Sequence, residues 1–476
     1  MADIVFGLQS YQSRSLPLSA QRMVNCFLET QPQGTKSQVP IFGVPGLTQF
    51  ALLPQANIRG MTAFQGQLYV VAGDSLYRVN RAGGYKLLGS GIAGSGVVSM
   101  SSNATQVIIV NGVEGYLVDD TDAFQEIFDP NFNSAATVLF FDNYFVFDRK
   151  GTNEFFLSAL GDGLSYNGLD FATAEAQPGF LTAVAQNLQL LFLFCQNHIE
   201  LWYDAGTADF PFQRYAGGVI ERGCVAPHTV VLQDDALFFL GQDRIFYRLQ
   251  GNVPLRMSTH AVEHAIQGYG DVTDAFCFTY TWEGHKMIVL TFPSVPHTWV
   301  FDVSTKLWHE RDSRTTGART ADNAISIGRW RGNCAIEIFD KVLIGDYNSG
   351  AIGYLDWDNQ TEYGSPIQCL MHSSPVHEDR MRIYMNRLEL DMQVGTSDAS
   401  GQGSDPQVLL RWSKDGAQTW SMVQPPRSLG KVGEYTKRIR WLNLGQGYQF
   451  VFELIITDPV KRVLIGTHAD VAVGMR

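Results

Sequence analysis

Two segments of this chain carry residue types at spacings that could do chemistry. His260, Glu263 and His264 stand in HxxEH order, in which two histidines one helical turn apart ligate zinc and the glutamate handles a proton of metal-bound water. Gly89, Gly91 and Gly94 satisfy GxGxxG, whose glycines let backbone approach a pyrophosphate at a helix N-terminus. The surroundings support neither. The stretch MSTHAVEHAIQ has room for a helix of about two to three turns, capped by Ser258 or Thr259, with Ala261, Val262, Ala265 and Ile266 as its packed face. No companion carboxylate ligand follows it, so a connector between strands is expected there and no zinc. After Gly94 the chain continues as VVSMSSNATQVIIV, which is strand-like. The helix dipole that would hold a phosphate is missing, and the glycines are expected to form a turn between strand units.

A third segment, Ser413 to Trp420 (SKDGAQTW), resembles the Asp-box, a hairpin motif recurrent in sialidase-like propellers, with Ala417 where glycine is usual. In that motif Asp415 would brace the turn through backbone hydrogen bonds and Trp420 would pack beneath it, a structural role even in an enzyme. Glycoside hydrolysis would further need paired carboxylates at a set separation. Trp202, Tyr203, Trp282, Trp299 and Trp308 could form a sugar-stacking platform; their strand-like contexts favour a place in a core. Asn103 and Asn359 open glycosylation sequons that mean nothing without a secretory route. No Ser-His-Asp order with a nucleophile elbow is present. No catalytic, cofactor-binding or metal residue is assigned.

Composition narrows the classes further. The chain has 476 residues, 45% hydrophobic and 12% aromatic, enough for a large core. Its longest apolar runs, such as 188–195, fall far short of the ~18 residues a membrane helix needs. The N-terminal residues lack the basic-then-apolar layout of a signal peptide, so synthesis and folding in a cytoplasm is the expectation. Cys26, Cys195, Cys224, Cys277, Cys334 and Cys369 are dispersed without a CxxC pair, which favours reduced, buried thiols. A net charge of −12 with only 35 basic residues gives no dense cationic track for a phosphate backbone. Tight DNA binding is therefore not expected.

The elements that would position any site come as a repeat. An apolar strand, a short polar turn and an aromatic-rich strand return at 67–79, 106–118, 143–157, 188–203, 236–248, 286–302 and 341–356. A period of roughly 35 to 55 residues marks a propeller or stacked array. The clearest four-strand unit spans 270–312, and the last unit lacks a strand. A natural donor is the N-terminal stretch, because closing the ring removes an exposed edge. The expected fold is all-β: an extended arm over 1–55, a six- or seven-bladed β-propeller over 56–358, and a β-sandwich-like domain over 359–476, where the strand pattern changes after Trp357.

The order of several stretches resembles the packaged-DNA stabilisation proteins of short-tailed bacteriophages, also called tail hub or nozzle proteins. The stretches are Arg22-Met-Val-Asn25-Cys-Phe-Leu-Glu29, Val44-Pro45-Gly46-Leu47, Arg59-Gly60-Met61, Leu68-Tyr69-Val70, Leu76-Tyr77-Arg78, Gly94 to Met100, Asn111-Gly112, Ile199 to Tyr203 and Glu221-Arg222-Gly223-Cys224. The resemblance implies a non-enzymatic virion tail component without cofactor. It would form a ring, a hexamer, below the portal and its adaptor, extend the DNA channel, help retain the genome, and contact a needle or plug and tailspikes. The chain's acidic balance would let duplex DNA pass without tight binding. Two other classes stay open: a propeller glycan hydrolase or glycan-binding tail protein, with paired acids at one propeller mouth, and a monomeric propeller scaffold.

Overall fold

In the computed structural model the described residues are 2–207, 210–316, 324–326, 328–398 and 400–474. The repeats form antiparallel sheets of four strands in meander order. Six of them occupy 58–90, 99–126, 138–173, 181–220, 231–256 and 276–311. The seventh takes Gly332–Ile338, Lys341–Asp346 and Ala351–Asp356 from the end of the array and Gly46–Leu52 from before its start. Ala351 lies opposite Leu52 and Asp356 opposite Gly46. The innermost strand of this blade packs beside Ile58–Phe64 of the first. The fold is thus a seven-bladed propeller clasped by an N-terminal strand.

Strand alternation explains why blades stack. In the first blade Leu68, Val70 and Ala72 pack toward the seventh blade, whereas Tyr69 and Val71 pack toward the second. In the second, Val107 and Ile109 face the first blade, while Ile108 and Val110 face the third. The middle strands therefore read as continuous apolar runs, since both faces are covered. Several hairpins turn on two residues with positive φ: Gln65-Gly66, Asp142-Asn143, Asp234-Asp235, Glu283-Gly284 and Phe339-Asp340, at 46° to 85°. This is the type I′ geometry that matches strand twist. Phe339 adopts it although bulky, its ring stacked 5.9 Å from Phe50.

The second body is a sandwich. One sheet runs Ile439–Gly447, Ile383–Met392, Val463–Val473, Ile41–Gly43, Cys26–Leu28, and Ala2–Asp3 also pairs with Val463–Val473. The facing sheet contains Cys369–His372, Gln449–Ile456 and Gln407–Ser413. Ile4, Phe6, Met23, Cys26 and Ile41 from the arm share its core with Met385, Leu388, Phe452 and Leu454. The two bodies are joined by pairing. Met23–Val24 lies between Leu307–Arg311 of the sixth blade, with Val24 opposite Glu310, and Cys369–His372 of the sandwich, with Val24 opposite Leu370. Ten strands form one sheet that passes from propeller through arm into sandwich. No helix among the described residues is long and apolar enough to cross a membrane.

Candidate functional site

The HxxEH segment folds as the helix His260–Gln267, with the Thr259 hydroxyl accepting from the Val262 amide. Its glutamate is already engaged. Glu263 accepts from Arg256 Nε at 2.5 Å and from Ser258 Oγ at 2.8 Å, and Arg256 Nη2 lies 2.7 Å from His260 Nδ1. Ala261, Val262 and Ile266 turn inward, and Val262 and Ile266 join the core between the fifth and sixth blades. Among the described residues no group of three or more His, Cys, Asp or Glu side chains is placed to hold a metal.

The glycine-rich loop has the opposite polarity to a phosphate cradle. Gly91 and Gly94 take φ of 101° and 81°, and the loop's carbonyls converge on a cation. The guanidinium of Arg59, 1% exposed, donates to the carbonyls of Gly96 at 2.7 Å, Ala93 at 2.8 Å, and Gly73 and Ile92 at 3.0 Å. Burial pushes the pKa of this guanidinium down from its usual value. A Cβ on the adjacent Gly60 would meet Val98 Cγ2 at 2.7 Å. Two stretches of the sequence signature, Arg59-Gly60-Met61 and Gly94 to Met100, are thus two sides of one contact.

The Asp-box turn clamps the arm. Asp415 accepts from Ser413 Oγ at 2.6 Å, Thr419 N at 2.9 Å and Gln418 N at 3.0 Å. Against desolvation, these bonds and the Thr419 hydroxyl lower its pKa to about 2. Ala417 takes the glycine conformation, φ 70°. It packs with Ala20, Val451, Leu16 and Trp420, and a Cβ on Gly416 would meet Pro17 Cα at 2.8 Å. Trp299 and Trp308 are buried between the fifth and sixth blades, and Trp202 between the third and fourth. Tyr203 is partly exposed, and Trp282 packs on Trp357, ring centroids 5.3 Å apart.

The densest polar construction is the joint itself. Glu310, 4% exposed, accepts from Arg22 Nη2 at 2.7 Å, Arg22 Nε at 3.0 Å and Ser10 Oγ at 3.0 Å. Desolvation alone would raise its pKa; the Arg22 charge and hydrogen bonds outweigh that and hold it below the usual carboxylate range. Asn25, at φ 56°, ties three segments. Its amide donates to the carbonyls of Asp312 and Gln368, both at 2.9 Å, and its Oδ1 accepts from Asp312 N at 3.1 Å. On the sandwich side His372 bridges Ala20 O and Glu453, both at 2.8 Å, and Glu453 also takes Arg411. Arg22 and Asn25 were legible as part of a signature, but Glu310 was missed. Its strand, LWHER, also carries His309 and Arg311, so nothing in the sequence singled out this one charge.

The axis of the propeller holds a cavity of about 300 Å³ walled by all seven blades, including Arg59, Met100, Thr137, Val184, His228, Phe276 and Asn333. That is the small end of small-molecule pockets, far too narrow for a duplex whose major groove alone is about 12 Å wide.

Comparison with known proteins fits this architecture. A family model described as bacteriophage P22 Gp10, β-propeller, matches residues 3–360. A second, described as bacteriophage P22 Gp10, β-sandwich, matches residues 368–472. Among solved structures, the N-terminal domain of Nup159 aligns at 10% identity and TM-score 0.42, covering 71% of this chain and 99% of its own. PorZ, a surface component of the Porphyromonas gingivalis type-IX secretion system, aligns at 10% identity and TM-score 0.37, covering 72% and 44%. Kluyveromyces lactis Hsv2 aligns at 11% identity and TM-score 0.36, covering 68% and 95%. No curated protein matches. With a propeller and a sandwich each matched in place and in order, the chain belongs to the bacteriophage P22 Gp10 family of tail structural proteins, the packaged-DNA stabilisation or tail hub proteins.

Proposed function

We propose that this tail protein assembles as a sixfold ring below the portal and its adaptor, prolongs the DNA channel, helps retain the packaged genome, and docks the needle or plug and the tailspikes. It does so without catalysis, metal or cofactor, and is assembled in the host cytoplasm before it resides in the virion tail. The observation that carries this reading is the match of both bodies to one tail-protein family. Two physical features support it. The continuous sheet through Met23–Val24 makes propeller and sandwich a stiff unit, as a tube wall under genome pressure requires. The small axial cavity supports a DNA channel that runs not through one propeller but between subunits around the ring axis, where a net charge of −12 favours sliding over adhesion.

The test is imaging and nuclease protection of particles made with and without the protein. Particles lacking it should lose DNA and a layer of tail density below the adaptor. Particles that keep a protected genome and an unchanged tail would overturn the hub reading.

A further inference from the structure

The charge of this chain is not spread evenly along it. Residues 87–213, which cover the second and third blades and most of the fourth, hold 15 aspartates and glutamates against two basic residues, Arg149 and Lys150. That stretch is net −13, and the rest of the chain sums to +1. At the outer edge of the second and third blades the acids stand among exposed apolar side chains: Phe128 is 80% exposed, Leu169 79% and Phe171 42%. The loops that carry Phe128 and Leu169 form one surface, because Asp129 accepts from Tyr166 N and Asn131 donates to Tyr166 O, both at 3.1 Å. Glu126, Asp129 and Asp170 border it, and no salt bridge among the described residues neutralises them.

The opposite charge gathers at the far end of the molecule. Residues 427–440 hold five basic residues and one acid. Every residue from 431 to 438 is exposed, including Val432 and Tyr435. Lys437 pairs with Glu434 and Arg438 with Glu389, whereas Arg427, Lys431 and Arg440 have no salt bridge among the described residues. Strand order fixes where this stretch lies. The ten-strand sheet leaves the sixth blade at Leu307–Arg311 and runs through Met23–Val24, Cys369–His372, Gln449–Ile456 and Gln407–Ser413 to Arg427–Ser428, its last strand. Ile439–Gly447 is the last strand of the facing sheet, at the end away from Cys26–Leu28. In a ring of seven blades the second and third stand across from the sixth. The acidic edge and the basic tip are therefore opposite ends of one stiff unit and cannot meet within it.

Each end has the make-up of a docking surface, with aromatic and aliphatic groups beside charge of one sign. The two match in charge and in exposed apolar residues, so the partner that each calls for is present on every other copy of the chain. Duplex DNA would meet the charge of the tip but not its apolar residues, and the opposite end repels it. Two different patches at opposite ends make a heterologous contact, the kind that runs head to tail and closes into a ring. We propose that the basic tip 427–440 of one copy docks on the acidic edge of the second and third blades of the next, an interface that rests on the ring reading above. The pairing leaves the net charge of every copy unchanged, so a closed ring stays acidic.

The experiment is sedimentation velocity of the full-length protein at about 10⁻⁶ to 10⁻⁴ M, in about 0.05 M and about 0.5 M salt, a range that covers weak complexes and screens charge. The wild type should associate as concentration rises at low salt, and at least about 10-fold more weakly at high salt. Glu126→Lys with Asp170→Lys reverses the edge, and Arg427→Glu with Lys431→Glu reverses the tip. Each variant alone should associate at least about 10-fold more weakly than the wild type, because like charges then face each other. An equimolar mixture of the two should recover association, as should the protein carrying all four changes, since each reversed surface again meets its opposite. Mixing cannot repair a folding defect, so recovery reports the contact itself. A wild type that stays monomeric, or one that associates equally at both salts, would overturn the assignment without any variant. So would variants that associate like the wild type, no recovery from two variants with native circular dichroism, or a reversed tip that loses duplex DNA binding but keeps self-association. Tail density below the adaptor with no recovery on mixing would move the interface elsewhere and leave the ring reading standing. Recovery on mixing without that density would keep the contact and fail the ring's place in the tail.

Discussion

Arg59 does in this fold what a peptide strand cannot: one side chain satisfies three carbonyls of a glycine-rich loop that has no sheet partner of its own, and with them the carbonyl of Gly73 in a neighbouring hairpin turn. Arg59→Met should therefore leave several buried acceptors unpaired and cost on the order of 3 kcal/mol or more, read as a lowered denaturant midpoint. Arg59→Lys should recover little, because a compact ammonium lacks the planar fork that reaches carbonyls in different directions. Glu310 makes a pH-dependent prediction. Its folded pKa is depressed, so the stability it adds is fully present above the unfolded value of about 4.3 and is lost as pH falls through the folded value. The stability difference between wild type and Glu310→Gln should be flat from about pH 6 to 8, on the order of 1 to 2 kcal/mol for a charge-assisted pair whose arginine is partly exposed, and should shrink below about pH 4. A gap that instead grew in acid would mean that Arg22 is not its controlling partner.

At the scale of elements, the arm is what makes one object of two. It supplies the outer strand of the seventh blade, the strand Met23–Val24 in the shared sheet, and three strands of the sandwich. Asn25 sits where the chain leaves one sheet for the other, in a left-handed conformation that asparagine tolerates and alanine does not. Asn25→Gly should lose the side-chain bonds but keep the backbone, whereas Asn25→Ala should lose both, unfolding at least about 1 kcal/mol more readily than Asn25→Gly. Limited proteolysis should show the arm released first in both. Equal stability of the two variants would place the value of Asn25 in its hydrogen bonds alone.

For the whole molecule, the question is what a stiff acidic block does beside DNA. With 35 basic residues against 47 acidic ones, few phosphates can be neutralised together. Isolated subunits should bind duplex DNA no more tightly than about 10⁻⁵ M at physiological salt, with a log–log salt slope shallower than about −3. A steep slope with tight binding would mark an electrostatic clamp and change the account of how the channel holds its genome.

Much of this was written locally. Alternation of apolar residues with a short polar turn specifies a strand pair wherever it occurs, and its return along the chain specified a propeller. Turns such as Asp142-Asn143 announced themselves by residue type, while Phe339-Asp340 did not, because its positive φ is held by packing on Phe50. The seventh unit's missing strand was legible as a deficit, since an open edge must be covered. The partner of each arm strand was left to the tertiary structure: Arg22 meets Glu310 across 288 residues, and Val24 enters a sheet shared by two bodies. Strand patterning is a property of neighbours in sequence, with a period of two residues. Which edge a strand closes, and which buried charge it must neutralise, depends on groups that meet only after the chain has folded.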